Sequence, residues 1–135
     1  MLNSLKNYTN NARNDINYIT PIEYYNIYYE KNDHLLIDLR QKDDYEKFHI
    51  KNAINIFWLD LLNDENLNFL NKYPKDKKIF LICYSGHTSS QSLVLLKLLG
   101  YKNTISIKFG YGSIIIVCFY IMNKFGCFCK VKISQ

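Results

Sequence analysis

Apolar positions recur along this chain with two different spacings, and the spacing changes element by element. The first 17 residues are Asn-rich and polar without any period, which is the pattern of a disordered terminal segment. Thr20-Pro21-Ile22-Glu23 then marks a helix start: Thr20 can cap, Pro21 suits the first helical position, and Glu23 can close a capping box. That helix should run to about Glu30. His34-Leu35-Leu36-Ile37-Asp38 is a continuous apolar run of strand length. A short helix is expected from Asp43 to Phe48, a short strand from Ala53 to Ile56, and one or two helical turns between Trp58 and Tyr73. After the charged turn Pro74-Lys75-Asp76-Lys77-Lys78 comes a second buried strand, Ile79 to Ile82. A helical period follows from Gln91 to Leu99, Gly100 stands where a left-handed helix terminus belongs, and Thr104-Ile105-Ser106-Ile107 is a further short strand.

Strands alternating with helices predict an α/β fold with a mainly parallel sheet. Ligands of such sheets bind beyond the carboxyl ends of the strands. No internal repeat is present. At 135 residues and 48% apolar content, the chain has the size of one domain with a buried core.

The formal charge of +5 comes mainly from scattered lysines, with Arg13 and Arg40 the two arginines. No basic block is interleaved with aromatic residues, so the charge favours weak attraction of small anions and argues against a nucleic-acid surface. The start of the chain lacks an apolar signal-peptide core, so a cytoplasmic location is expected. The four cysteines then read as thiols, and Cys127-Phe128-Cys129 lacks the spacing of a dithiol redox or zinc site. No metal site is expected from these spacings. The apolar run Ile114 to Met122 is too short to span a bilayer, which takes about 20 residues. The Tyr24-Tyr25 and Tyr28-Tyr29 pairs have helical spacing, so they are expected to form a packed stripe.

The chemistry is concentrated after the second buried strand. Cys83 ends that strand, and Tyr84, Ser85, Gly86, His87, Thr88 and Ser89 form a polar loop leading into the next helix. A thiol in this position faces loop N–H groups and the positive end of a helix, both of which favour the thiolate. The thiolate is the reactive form of sulfur, and an ordinary cysteine is only a few per cent ionised at pH 7. A helix terminus supplies about 0.3–1 kcal/mol, up to about 2 in partly buried sites, so it lowers the pKa by about one unit. Gly86 allows close approach of backbone to a solvent-reachable sulfur.

Four segments, in this order and spacing, resemble the rhodanese-like family. Leu36-Ile37-Asp38-Leu39-Arg40 is similar to its strand ending in Asp-x-Arg. Asp44-Tyr45-Glu46-Lys47-Phe48-His49-Ile50-Lys51-Asn52-Ala53-Ile54-Asn55-Ile56 resembles its E-Y-x-x-G-H-I-P-G-A-I-N-I stretch. Cys83 to Ser89 resembles its active loop, and Leu98-Leu99-Gly100-Tyr101-Lys102-Asn103 leads on to Gly110. The resemblance implies a parallel sheet flanked by helices on both faces, over residues 18–112. It also implies a sulfurtransferase in which Cys83 takes a sulfane sulfur from thiosulfate, mercaptopyruvate or a persulfide and passes it to cyanide or a thiol, protein thiols included. Residues 84–89 would then contact substrate, with Asp38, Arg40 and His49 in support, and no metal or organic cofactor is implied.

The departures from the pattern point elsewhere. Thr88 stands where the family loop often has arginine, which removes a guanidinium suited to an oxyanion. This puts thiosulfate in doubt as donor and argues against a cysteine phosphatase, which needs such a cation. Turn residues around His49 are missing, and residues 113–135 form an atypical apolar tail without family likeness. That tail is either a divergent packing element or the product of an incorrect gene model. The alternative function is therefore a catalytically weak interaction or regulatory module on the same fold.

Overall fold

The computed structural model describes residues 1–14, 16–112 and 114, together with the backbone of 129–131. Its centre is a sheet of five parallel strands. These are β1 (Tyr18–Ile19), β2 (Leu35–Asp38), β4 (Ile54–Asn55), β5 (Ile79–Ile82) and β6 (Thr104–Ile107), in spatial order β1-β6-β5-β2-β4. A separate antiparallel pair joins β3 (Phe48–Ile50) to β7 (Cys129–Val131). The helices are α1 (Leu2–Arg13), α2 (Pro21–Tyr29), α3 (Lys42–Lys47), α4 (Asp64–Leu70) and α5 (His87–Leu98), with a 3₁₀ turn at Trp58–Asp60.

The pleat sorts the apolar runs onto two faces. Leu35, Ile37, Leu39, Ile79, Leu81 and Cys83 pack with Leu70 of α4 and with Leu93 and Leu96 of α5. The alternate positions Leu36, Phe80, Ile82 and Ile107 pack with Tyr24 and Tyr25 of α2. β2 and β5 are buried at all four positions, which is why their sequences are continuously apolar. The period of two also decides where the sulfur goes: Cys83 falls on the α5 side of the sheet.

The capping box expected at Thr20 and Glu23 is present at the start of α2, with Pro21 in its first turn. Gly100 has φ 95° and its N–H donates to the Lys97 carbonyl. Strands β1 and β3 lie outside the expected elements, with Phe48 in a strand in place of a helix end, and two helices also differ from expectation. Residues 2–13 form α1 where the polar pattern suggests disorder. The helix buries none of its own residues, but it lies against α5, and Tyr8 packs at the edge of the α5-side core. Asn17 also ties back to it, donating from Nδ2 to the Tyr8 carbonyl at 3.1 Å. Such support comes from distant residues and leaves no local period. The second difference is α5, which begins at His87, four positions before the expected Gln91, because the helix starts directly from Gly86. The apolar tail lies outside the described residues except for residue 114 and the β7 backbone.

Phe109, just after β6, has φ 64° and is 62% exposed. A side chain costs roughly 1–2 kcal/mol in this left-handed region, and little burial offsets it. Phe109→Gly is expected to stabilise the fold by up to about 1 kcal/mol, after allowing for the added freedom of the unfolded chain. A higher midpoint in urea checks it; an unchanged or lower midpoint would show that Phe109 is not strained.

Candidate active site

β5 is flanked by β6 and β2, so its carboxyl end is fixed on both sides. Cys83 is the first residue beyond it. The chain then turns through Gly86 at φ 96°, a conformation that only glycine takes readily. A Cβ on Gly86 would also meet the Phe109 nitrogen at 3.1 Å. This turn folds α5 back over the cysteine. The Gly86 N–H donates to Cys83 Sγ at 3.1 Å and the Ser89 N–H does so at 3.3 Å. The Ser89 hydroxyl lies 3.3 Å from the same sulfur.

Burial by itself would push the Cys83 thiol up, but hydrogen bonds from the Ser89 and Thr88 hydroxyls and from the Ser89 and Gly86 amides outweigh it. The pKa lies below the ordinary cysteine value. Thr88 thus serves the sulfur with its hydroxyl. The expected solvent-reachable sulfur is not found: Cys83 is 1% exposed, because its position in the sheet turns it towards α5. Tyr84, Ser85 and His87 are the exposed members of the loop.

A second constraint comes from the segment after β6. The Tyr111 N–H donates to the Cys83 carbonyl at 3.0 Å, and the Gly112 N–H to the Tyr84 carbonyl at 3.4 Å. Gly110 passes so close that an added Cβ would lie 2.2 Å from the Cys83 carbonyl oxygen. Nothing but glycine fits between the two backbones.

Asp38 and Arg40 lie at the end of neighbouring β2. The Asp38 carboxylate, fully buried, accepts from Arg40 Nε at 3.1 Å and from Nη2 at 2.9 Å, and also from the Arg40 N–H at 3.0 Å. Arg40 Nη2 donates further to the Phe48 carbonyl. The Tyr111 hydroxyl donates to Asp38 Oδ2 at 2.9 Å and accepts from the Ile50 N–H at 3.2 Å. Burial, then the nearby Asp38 charge, pushes that phenol far above its usual range, so it remains a donor. The guanidinium sits 3.6 Å over the Tyr111 ring and 5.8 Å from the Tyr84 ring, and the Tyr84 hydroxyl donates to the Asp44 carboxylate of α3. Asp38 and Arg40 therefore brace the loop through two tyrosines. His49 is placed elsewhere: its Nδ1–H donates to the Tyr45 carbonyl at 2.6 Å and its ring stacks on Tyr45 at 3.8 Å, which fixes the turn from α3 into β3.

Sequence reasoning passed over Tyr111 and Ser106. The sequence does carry a trace of the latter, a small hydroxyl residue between two isoleucines of a strand, yet its partner Ser89 is distant in the chain. Ser106 Oγ donates to Ser89 Oγ at 2.7 Å, and both residues are buried.

Residues 20–115 match the rhodanese-like domain family. The chain belongs to that family. Among curated relatives, a "Thiosulfate sulfurtransferase GlpE" of Coxiella burnetii is 29% identical over 84 residues, 62% of this chain and 74% of that protein. "Adenylyltransferase and sulfurtransferase uba4" of Ogataea parapolymorpha is 33% identical over 72 residues, 53% of this chain but 18% of that much longer protein. The fold is shared with a rhodanese-related protein from Thermoplasma volcanium (TM-score 0.60, 24% identity, 73% of this chain and 90% of that one). It is also shared with the rhodanese-like domain of an Anabaena protein (TM-score 0.70, 17% identity, 86% and 80%). The Cys83 to Ser89 loop lies within the matched residues.

Two outcomes test the geometry of this rhodanese-like loop. Gly110→Ala is expected to destabilise the protein by about 2 kcal/mol or more, because two backbones must separate; chemical denaturation reads it, and a loss under 0.5 kcal/mol would show that the crossing yields easily. Second, peptide-resolved iodoacetamide labelling of Cys83 should reach half its maximum at a pH below that of the unfolded chain. The linked stabilisation is full above the ordinary thiol pKa and is lost as pH falls through the lowered value. Coincident folded and unfolded profiles would remove the stabilised thiolate.

Proposed function

We propose that the chain is a rhodanese-type sulfurtransferase working through a Cys83 persulfide. One observation carries the reading: two amides and a hydroxyl converge on a sulfur at the carboxyl end of a central parallel strand. In the first step the Cys83 thiolate attacks the sulfane sulfur of a donor. A new S–S bond forms on Cys83 as the donor's own bond to that sulfur breaks, and the bonding pair leaves with the donor fragment, sulfite in the case of thiosulfate. In the second step a thiolate or cyanide attacks the outer sulfur, and the electron pair of the cysteine S–S bond returns to Cys83. The persulfide is itself anionic and uses the same donors as the thiolate.

The donor follows from charge. Residues 84–89 include no lysine or arginine, and the guanidinium of Arg40, 6% exposed, is engaged by Asp38 and the Phe48 carbonyl. A singly charged persulfide suits this loop better than dianionic thiosulfate, with a small or protein thiol as acceptor. Among the described residues no helix is long and apolar enough to cross a membrane. The 1% exposure of Cys83 favours a second reading, an interaction module on the same fold with little activity.

Intact-mass spectrometry separates the two. Incubation with a polysulfide is expected to add one sulfur to the wild-type protein, which then passes to cyanide as thiocyanate, and Cys83→Ser should abolish both events. A folded wild-type protein left unmodified by polysulfide and by thiosulfate would overturn the enzymatic reading and leave the interaction module.

A further inference from the structure

A hydroxyl group has one hydrogen to donate and two lone pairs to receive with. Ser89 Oγ has three polar neighbours: Ser106 Oγ at 2.7 Å, the Gly86 carbonyl at 3.1 Å and Cys83 Sγ at 3.3 Å. While Cys83 is a thiol, the distribution is complete. Its S–H and the Ser106 hydroxyl both donate to Ser89 Oγ, and Ser89 donates to the Gly86 carbonyl.

Removal of the thiol proton leaves Sγ with nothing to donate. The Ser89 hydrogen can then rotate from the Gly86 carbonyl to the sulfur. The carbonyl is not orphaned by this, because it also accepts from the Ser90 hydroxyl at 2.8 Å and the Ser90 N–H at 3.2 Å. Ser106, on β6, keeps one Ser89 lone pair occupied, so the Ser89 hydrogen is not drawn towards β6 instead. Ser89 is fully buried and Ser106 1% exposed, so the relay lies within the core between α5 and the sheet.

We infer that Ser106 is a positioning residue for Cys83, its hydroxyl orienting that of Ser89 so that the Ser89 hydrogen is delivered to the sulfur once the sulfur is ionised. The inference rests on the sulfur chemistry proposed above, deepens it by one residue, and can fail separately from it. Ser106 does not touch the sulfur; it acts through Ser89.

The test is a titration of the Cys83 thiolate by ultraviolet absorbance, taken as a difference against Cys83→Ser in each background. At a fixed pH below the midpoint, Ser106→Ala is expected to lower the thiolate population roughly three- to tenfold, the worth of one hydrogen bond. Ser106→Thr and Ser106→Val have nearly the same shape and differ in the hydroxyl. Thr should restore the wild-type midpoint and Val should not, and this pair decides the matter if Ala loosens the core. Adding Ser106→Ala to Ser89→Ala should change the titration little further, since the effect passes through Ser89. A wild-type midpoint in folded Ser106→Val, or full additivity with Ser89→Ala, would overturn the inference. If wild-type protein takes up no sulfur while the Thr–Val difference persists, the sulfurtransferase reading fails and the positioning role stands. If it takes up sulfur and the difference is absent, the reverse holds.

Discussion

A sulfur taken out of water at the end of a strand can carry negative charge only where donors replace the water it has lost. Everything around Cys83 serves that exchange. β5 delivers the residue, Gly86 reverses the chain, and α5 brings the amide and hydroxyl of Ser89 onto the sulfur within one turn. Burial opposes ionisation and the convergent hydrogen bonds overcome it. Neither effect is available to a cysteine in a flexible loop.

The donors are held to the sulfur by packing that is itself tightly specified. The crossing of Gly110 over the Cys83 and Tyr84 carbonyls pins the loop from one side, with the Tyr111 and Gly112 amides completing the contact. From the other side, Asp38 gathers Arg40 and the Tyr111 hydroxyl into one buried group. Removing a member of such a group leaves a charge or hydroxyl unpaired in the core, and that asymmetry keeps the arrangement together. Arg40 is thereby committed to structure. Its guanidinium is engaged by a carboxylate, a carbonyl and two aromatic faces.

The loop is consequently polar but uncharged in its backbone-facing half. Thr88 and Ser89 present hydroxyls where a guanidinium would have presented a fixed positive fork. Hydroxyls stabilise one atom at short range and do not attract an oxyanion from a distance. The described donors of the loop are arranged around the Cys83 sulfur.

Much of this was written locally. The capping box at Thr20, the continuous apolar runs of β2 and β5, the left-handed Gly86 and Gly100, and the Cys83 loop all follow from residues a few positions apart, because caps, turns and pleats are short-range effects. What the local pattern could not contain are the contacts between segments remote in sequence. α1 is supported by α5, Tyr111 reaches Asp38, Ser106 reaches Ser89, and the sheet face chosen for Cys83 closes it from solvent. Sequence alone singled out the Cys83 sulfur as the candidate nucleophile and named the secondary elements that present it. Tertiary packing decided how acidic and how accessible that atom is, since both depend on which groups from distant strands and helices surround it.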